Sequence, residues 1–231
     1  MNNRIIVALD LNSKAEALQA VKELGPKLSF VKVGMELFYS TGPDFIASLK
    51  DLGLKVFLDL KVHDIPNTAK RAIAVLSRLG CDMLNLHCSG GLTMMRQASE
   101  ALEADTLLIG VTQLTSTDQE LLNKQLGIPG TVEDSVLNYA SLAKEAGLAG
   151  VVCSPHEVVR LKKELGPEFI TVTPGVRPAG NDIQDQKRVM TPREAIAIGS
   201  DYLVVGRPII GSEDRRGALE KIIEDMEAGK R

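Results

Sequence analysis

Eight short apolar runs, separated by stretches of helical periodicity, constrain this chain more than any other feature. They are Arg4–Leu9, Ser29–Val33, Lys55–Leu60, Met83–His87, Thr106–Thr112, Gly150–Cys153, Phe169–Thr173 and Tyr202–Val205. Each is four to seven residues long, rich in Val, Ile and Leu, and lacks the alternation of a strand with one wet face. Such runs fit parallel strands covered on both sides. The intervening stretches are amphipathic. Ser13–Leu24 carries Ala15, Leu18, Val21 and Leu24 on one side, with Ser13 as N-cap and Gly25-Pro26 as the stop. Pro66–Leu79 carries Ala69, Ile73 and Leu76 and ends at Gly80. Thr191-Pro192-Arg193-Glu194 sets Pro at the first helical position and Glu where a capping box needs it.

Strand and helix thus alternate eight times, with no composition break or Ser/Gly linker. That is the count of an α/β protein built as a single (β/α)8 TIM barrel across residues 1–231, slightly below the ~250 residues usual for the fold. A doubly wound open sheet is the alternative, but no GxGxxG follows the first run. Two connections are long: Leu114–Gly130, where a short helix is expected, and the polar, glycine-containing Pro174–Met190. Long connections in a compact domain are commonly lids or binding loops.

Composition narrows the partners. Lys and Arg number 27 against 30 Asp and Glu, a net charge of −3, so broad neutralisation of nucleic-acid phosphates is not expected. A local cationic pocket for one phosphate is compatible with that balance. Aromatics are 3% with no Trp, which leaves few rings to stack single-stranded bases. The apolar runs fall far short of the ~20 residues of a membrane helix. The first run reads as a strand and not as a signal peptide. Cys81, Cys88 and Cys153 are odd in number and lack CxxC spacing, so neither disulfides nor zinc are expected. A soluble, cytoplasmic protein follows.

Catalytic groups of such barrels stand at the C-terminal ends of strands. Asp10 closes the first run, Lys32 lies in the second, and Asp59 and Lys61 close the third, with Asp64 just beyond. Residues i and i+2 of a strand face the same side, so Asp59 and Lys61 should both enter the barrel mouth. A lone D-x-K could be a structural ion pair. With Lys32, Asp10 and Asp64 nearby, the pattern becomes an array of charges in one cavity, which active sites need and structural pairs do not. The seventh run leads to Thr173-Pro174-Gly175-Val176-Arg177-Pro178 and the eighth to Val205-Gly206-Arg207-Pro208. Barrels often hold phosphate at these two ends. Gly206-Arg207 alone could be a turn with a solvated Arg. Joined to Arg177 and the long loop with Gln186, it reads as a phosphate grip. His63, His87 and His156 share no metal-ligand spacing, and His87 reads as a wall residue.

The segment Asp59-Leu60-Lys61-Val62-His63-Asp64-Ile65-Pro66-Asn67-Thr68 closely resembles the orotidine 5′-phosphate decarboxylase family of the bacterial monofunctional kind. Val7–Asp10, Val31–Gly34, Leu114–Ser116, Thr173–Pro178, Asp185–Arg188 and Val205–Pro208 match in the family's order, so the resemblance spans residues 7 to 208. It implies loss of the C6 carboxylate of orotidine 5′-monophosphate as CO2, giving uridine 5′-monophosphate, with no metal and no organic cofactor. It implies that Lys61 protonates C6 and that Asp59 lies against the departing carboxylate. Lys32, Asp59, Lys61 and Asp64 then form the charged array, and Asp10 and Lys32 bind ribose. Thr115 lies near the pyrimidine, and Arg177, Gln186, Gly206 and Arg207 line the phosphate side. A homodimer is implied, with Asp64, Ile65 and Thr68 reaching the neighbouring subunit's site. Two rivals remain: a Mg2+-dependent sugar-phosphate decarboxylase of the same barrel group, and a non-catalytic barrel that binds uridine monophosphate.

Overall fold

The computed structural model describes residues 4–103, 105–178 and 190–229. Its eight strands are β1 (Ile5–Ala8), β2 (Phe30–Gly34), β3 (Lys55–Val62), β4 (Met83–His87), β5 (Leu107–Val111), β6 (Gly150–Val152), β7 (Ile170–Thr173) and β8 (Tyr202–Val205). All neighbours pair in parallel, and β8 closes on β1 through Ile5↔Leu203, Ile6↔Val204 and Val7↔Val205. The expected (β/α)8 barrel is therefore what forms.

The helices among the described residues are α1 (Lys14–Leu24), α2 (Met35–Thr41), α3 (Asp44–Asp51), α4 (Pro66–Ser77), α5 (Gly91–Ser99), α6 (Val132–Glu145), α7 (Val158–Leu165), α8 (Pro192–Ala197), α9 (Arg207–Ile210) and α10 (Arg215–Ala228). None is long and apolar enough to cross a membrane. Ser13 caps α1 by accepting from the Glu16 N–H, and Gly25 ends it at φ 69°, a left-handed conformation that glycine adopts without steric cost. Thr191 and Glu194 form the expected capping box on α8. One expected face is corrected: α1 buries Ala17, Ala20 and Leu24, while Ala15 is exposed. The Leu114–Gly130 connection does contain a short helical segment, a single π turn at Leu121–Gln125.

Strand pleating divides the core in two. Odd positions of β1 and β8, such as Val7 and Leu203, pack outward against the helices. The alternate positions point inward, where Ile6, Ala8 and Val204 of these two strands join Phe30, Phe57, Met83, Ile109 and Val172 to fill the barrel. Two residues further along, the same inward register carries Lys32, Asp59 and Asn85. The barrel floor is apolar and its C-terminal mouth is charged because successive inward layers of the strands change from hydrocarbon to polar groups.

Candidate active site

The four strand-end charges predicted from sequence form one continuous chain. Lys32 Nζ lies 3.1 Å from Asp10 Oδ1 and 3.3 Å from Asp59 Oδ2. Lys61 Nζ lies 2.7 Å from Asp59 Oδ1. Carboxylate and ammonium therefore alternate in the order Asp10, Lys32, Asp59, Lys61. Asp59 is buried, at 8% exposure. Burial alone would push its carboxyl pKa up, but the charges of Lys32 and Lys61, with hydrogen bonds from Lys61 and Asn85, hold it below the usual carboxylate range. For Lys32, burial works to lower the pKa, and the facing Asp59 and Asp10 carboxylates raise it above the ordinary lysine value instead. The centre of the array thus stays ionised despite its low exposure, because each charge has a partner of opposite sign.

Asp59 and Lys61 do not meet by simple strand alternation. Lys61 has φ 51° and sits in a register shift between Leu58 and Val62. A bulge of this kind re-aims side chains, and here it turns the lysine back onto the carboxylate two residues earlier. Asn85 on β4 braces both, donating from Nδ2 to Asp59 Oδ1 at 2.7 Å and accepting the Lys61 N–H at 2.8 Å. Asn85 went unnoticed in the sequence. Its only signal there is a polar residue set between Leu84 and Leu86 on the inward register of the strand.

The array opens into a cavity of about 300 Å3, walled by Phe57, Val152 and Val204 and by Thr115 and Ser116 of the β5–α6 connection. Gly206 stands beside Asp10, where a Cβ would come to 3.0 Å from Asp10 Oδ2. Arg177 is buried, and its N–H donates to the Met190 carbonyl at 3.0 Å. With the Val176↔Met190 bridge, this clasps the two ends of the long seventh loop. Arg207 begins α9 at the end of β8 and is exposed. Gln186 lies outside the described residues.

Asp64 and Thr68 stand apart from this cavity. Asp64 is exposed, and its carboxylate accepts the Ile65 N–H at 2.7 Å. Thr68 lines an outer groove over α4 that begins at Lys61 and is flanked by Tyr39 and Val75. His63 and His87 pack at the rim with ring centroids 5.5 Å apart. Burial, then the neighbouring His63 and Lys61, push the His87 pKa below its ordinary value. Among the described residues, no group of three or more His, Cys, Asp or Glu could hold a metal ion.

Fold and site together define a β/α-barrel enzyme whose mouth carries alternating carboxylate and ammonium groups beside a cavity of nucleoside size. The sequence matches the model of the orotidine 5′-phosphate decarboxylase / HUMPS family over residues 3–222, and the chain belongs to that family. The orotidine 5′-phosphate decarboxylase of Streptococcus suis (strain 05ZYH33) is 49% identical over 227 residues, covering 98% of each protein. That of Staphylococcus saprophyticus is 49% identical over 227 residues, covering 97% of this chain and 98% of the relative. The crystal structure of the Lactobacillus acidophilus orotidine 5′-phosphate decarboxylase superposes with a TM-score of 0.87 at 40% identity, covering 97% of this chain and 99% of that one.

Proposed function

We propose that this protein decarboxylates orotidine 5′-monophosphate to uridine 5′-monophosphate, with Lys61 as proton donor. The observation that carries the reading is the Asp10–Lys32–Asp59–Lys61 chain at the barrel mouth, in a chain about half identical to named decarboxylases along nearly its whole length.

The chemistry asks for such an array. The C6–carboxylate bond breaks, CO2 leaves, and the electron pair stays on C6 in an sp2 orbital with no π system to receive it. Stabilisation must then come from fixed charges near C6. A substrate carboxylate ~4 Å from Asp59 would feel roughly 4 kcal/mol of repulsion at an effective dielectric of 20, relieved as CO2 departs. The Lys61 ammonium faces the growing negative charge and then gives C6 its proton. Asp10 and Lys32 hold the ribose, and Thr115 contacts the pyrimidine. Arg177, Gln186, Gly206 and Arg207 grip the phosphate, which lies remote from C6 and lends its binding energy to assembling the site.

The working unit is a homodimer in which Asp64, Ile65 and Thr68 complete the neighbour's site. The exposure of Asp64 outside the cavity supports this, as does that of Ile65 (68%) beside it and of Tyr39 (72%) and Val75 (53%) in the groove that starts at Lys61. Apolar groups so exposed on one face are suited to a two-fold contact.

The test is the loss of orotidylate absorbance with purified protein, with and without EDTA. Turnover insensitive to EDTA supports the reading, whereas turnover abolished by EDTA and restored by Mg2+ favours the metal-dependent rival. Lys61→Ala should lower kcat by many orders of magnitude while circular dichroism shows the fold intact. Activity within tenfold of wild type would remove Lys61 from its role.

A further inference from the structure

β3 and β4 are in register at Phe57↔Met83 and Leu58↔Leu84, and again at Val62↔Leu86. Between these pairs β3 holds Asp59, Leu60 and Lys61, whereas β4 holds Asn85 alone. With three residues opposite one, the backbone ladder cannot run through. The Asn85 side chain bridges the gap. Its Oδ1 accepts the Lys61 N–H and its Nδ2 donates to Asp59 Oδ1. Only this orientation of the amide works, since the flipped form would set N–H against N–H and oxygen against carboxylate. Asn85 is 2% exposed and does not line the cavity. Lys61, with φ 51°, occupies a region that residues bearing a side chain enter rarely and that surrounding contacts must maintain.

We infer that Asn85 is a positioning residue for the decarboxylation. It fixes the Asp59 carboxylate so that Oδ1 meets Lys61 and Oδ2 meets Lys32, and it fixes the backbone from which the Lys61 ammonium is aimed. The inference rests on the proposed reaction. A purely structural amide would also be buried and bonded, but its loss would move stability alone. A positioning amide also tunes the group that it holds. Asp59 is faced by Lys32 from β2, Lys61 on its own strand, Asn85 and His87 from β4, and Asp10 through Lys32. Of these, Asn85 is a neutral donor, and its hydrogen bond helps to keep Asp59 ionised. Without it the Asp59 pKa rises, and the acid limb of kcat moves to higher pH.

The experiment compares wild type, Asn85→Ala and Asn85→Asp for orotidylate decarboxylation across the acid-to-neutral range, with thermal unfolding of each. Both variants should lose about 10²-fold in kcat, the scale of a small misplacement of reacting groups. KM should stay within about threefold, since the amide acts on groups that work in the transition state. The acid limb should shift upward, further in Asn85→Asp, where two facing carboxylates must share a proton. A folded variant with kcat within threefold of wild type and an unmoved acid limb overturns the inference. So does a loss of rate that only tracks the loss of folded protein. If Asn85→Ala does not fold, the isosteric Asn85→Asp carries the same criteria, and failure of both to fold marks a structural residue and overturns it too. A wild type that does not consume orotidylate is a different result, and strikes the reaction itself.

Discussion

Asp59 holds the array together, since it alone touches both lysines. Asp59→Asn leaves Lys32 and Lys61 facing an uncharged amide, with Asp10 as the remaining anion. Removing one member of a buried ion pair typically costs about 3 kcal/mol, and a loss of that size is expected in denaturant unfolding at neutral pH. The sign with pH follows from the depressed pKa of Asp59 in the folded state. Its contribution is complete above the unfolded-state value of about 4 and disappears as pH falls through the lower folded-state value. Wild type and variant should therefore converge in acid; a gap that stays constant or widens would contradict the pairing. Lys32, with a raised pKa, acts in the opposite direction, and its contribution is lost only in strong alkali. Asp10, Lys32, Asp59 and Lys61 were legible in the sequence because each lies at or near the C-terminal end of an apolar run, and the ends of runs converge in a barrel. Asn85 was not, because its part depends on β3 having two more residues than β4 across the bulge, and no single strand reveals its neighbour's length.

Among the elements, the strands were read to within a residue or two at their ends, since continuous Val/Ile/Leu runs leave few alternatives. Helix rotation was less legible. The face of α1 turned so that Ala17 and Ala20 are buried in place of Ala15, because small residues satisfy the local pattern on either side and packing against the barrel decides. The β5–α6 connection looked like a possible lid. It is braced from within: Gln119 donates to Asn123 Oδ1 and the Gly130 carbonyl, and Asn123 donates to the Ile128 and Gly130 carbonyls. It stands as a wall that presents Thr115 to the cavity. The other long loop is clasped at its ends by Val176, Arg177 and Met190, next to the β8 end that carries Arg207. If this side of the barrel takes the phosphate, Arg207→Ala removes a charge-assisted contact far from C6. Steady-state kinetics should then show kcat/KM reduced by roughly 10²-fold or more. An unchanged kcat/KM would put the phosphate elsewhere.

Across the whole molecule, charge is sorted by barrel end. At the N-terminal end, Asp82 takes Lys50 and the Val56 N–H, and four strands further on Asp201 takes Lys162 and the Thr171 N–H. These carboxylates tie adjacent strands and serve stability. At the C-terminal end Lys32, Asp59 and Lys61 line a cavity, whereas Asp64 is exposed and is not part of its lining. That exposed carboxylate gives the proposed dimer its sharpest test. In a two-fold assembly each site would combine Lys61 of one chain with Asp64 of the other. Lys61→Ala and Asp64→Asn should each be poorly active alone. Mixed in equal amounts with free exchange, half of the dimers are hybrids. In a hybrid, one site takes its lysine from the Asp64→Asn chain and its aspartate from the Lys61→Ala chain, and is whole, while the other site carries both lesions. Activity should therefore return to about a quarter of wild type per total site, a statistical figure that follows from the symmetry alone. Exchange can be verified separately with differently tagged chains. If hybrids form and no activity returns, Asp64 serves its own subunit, and the sites are not shared.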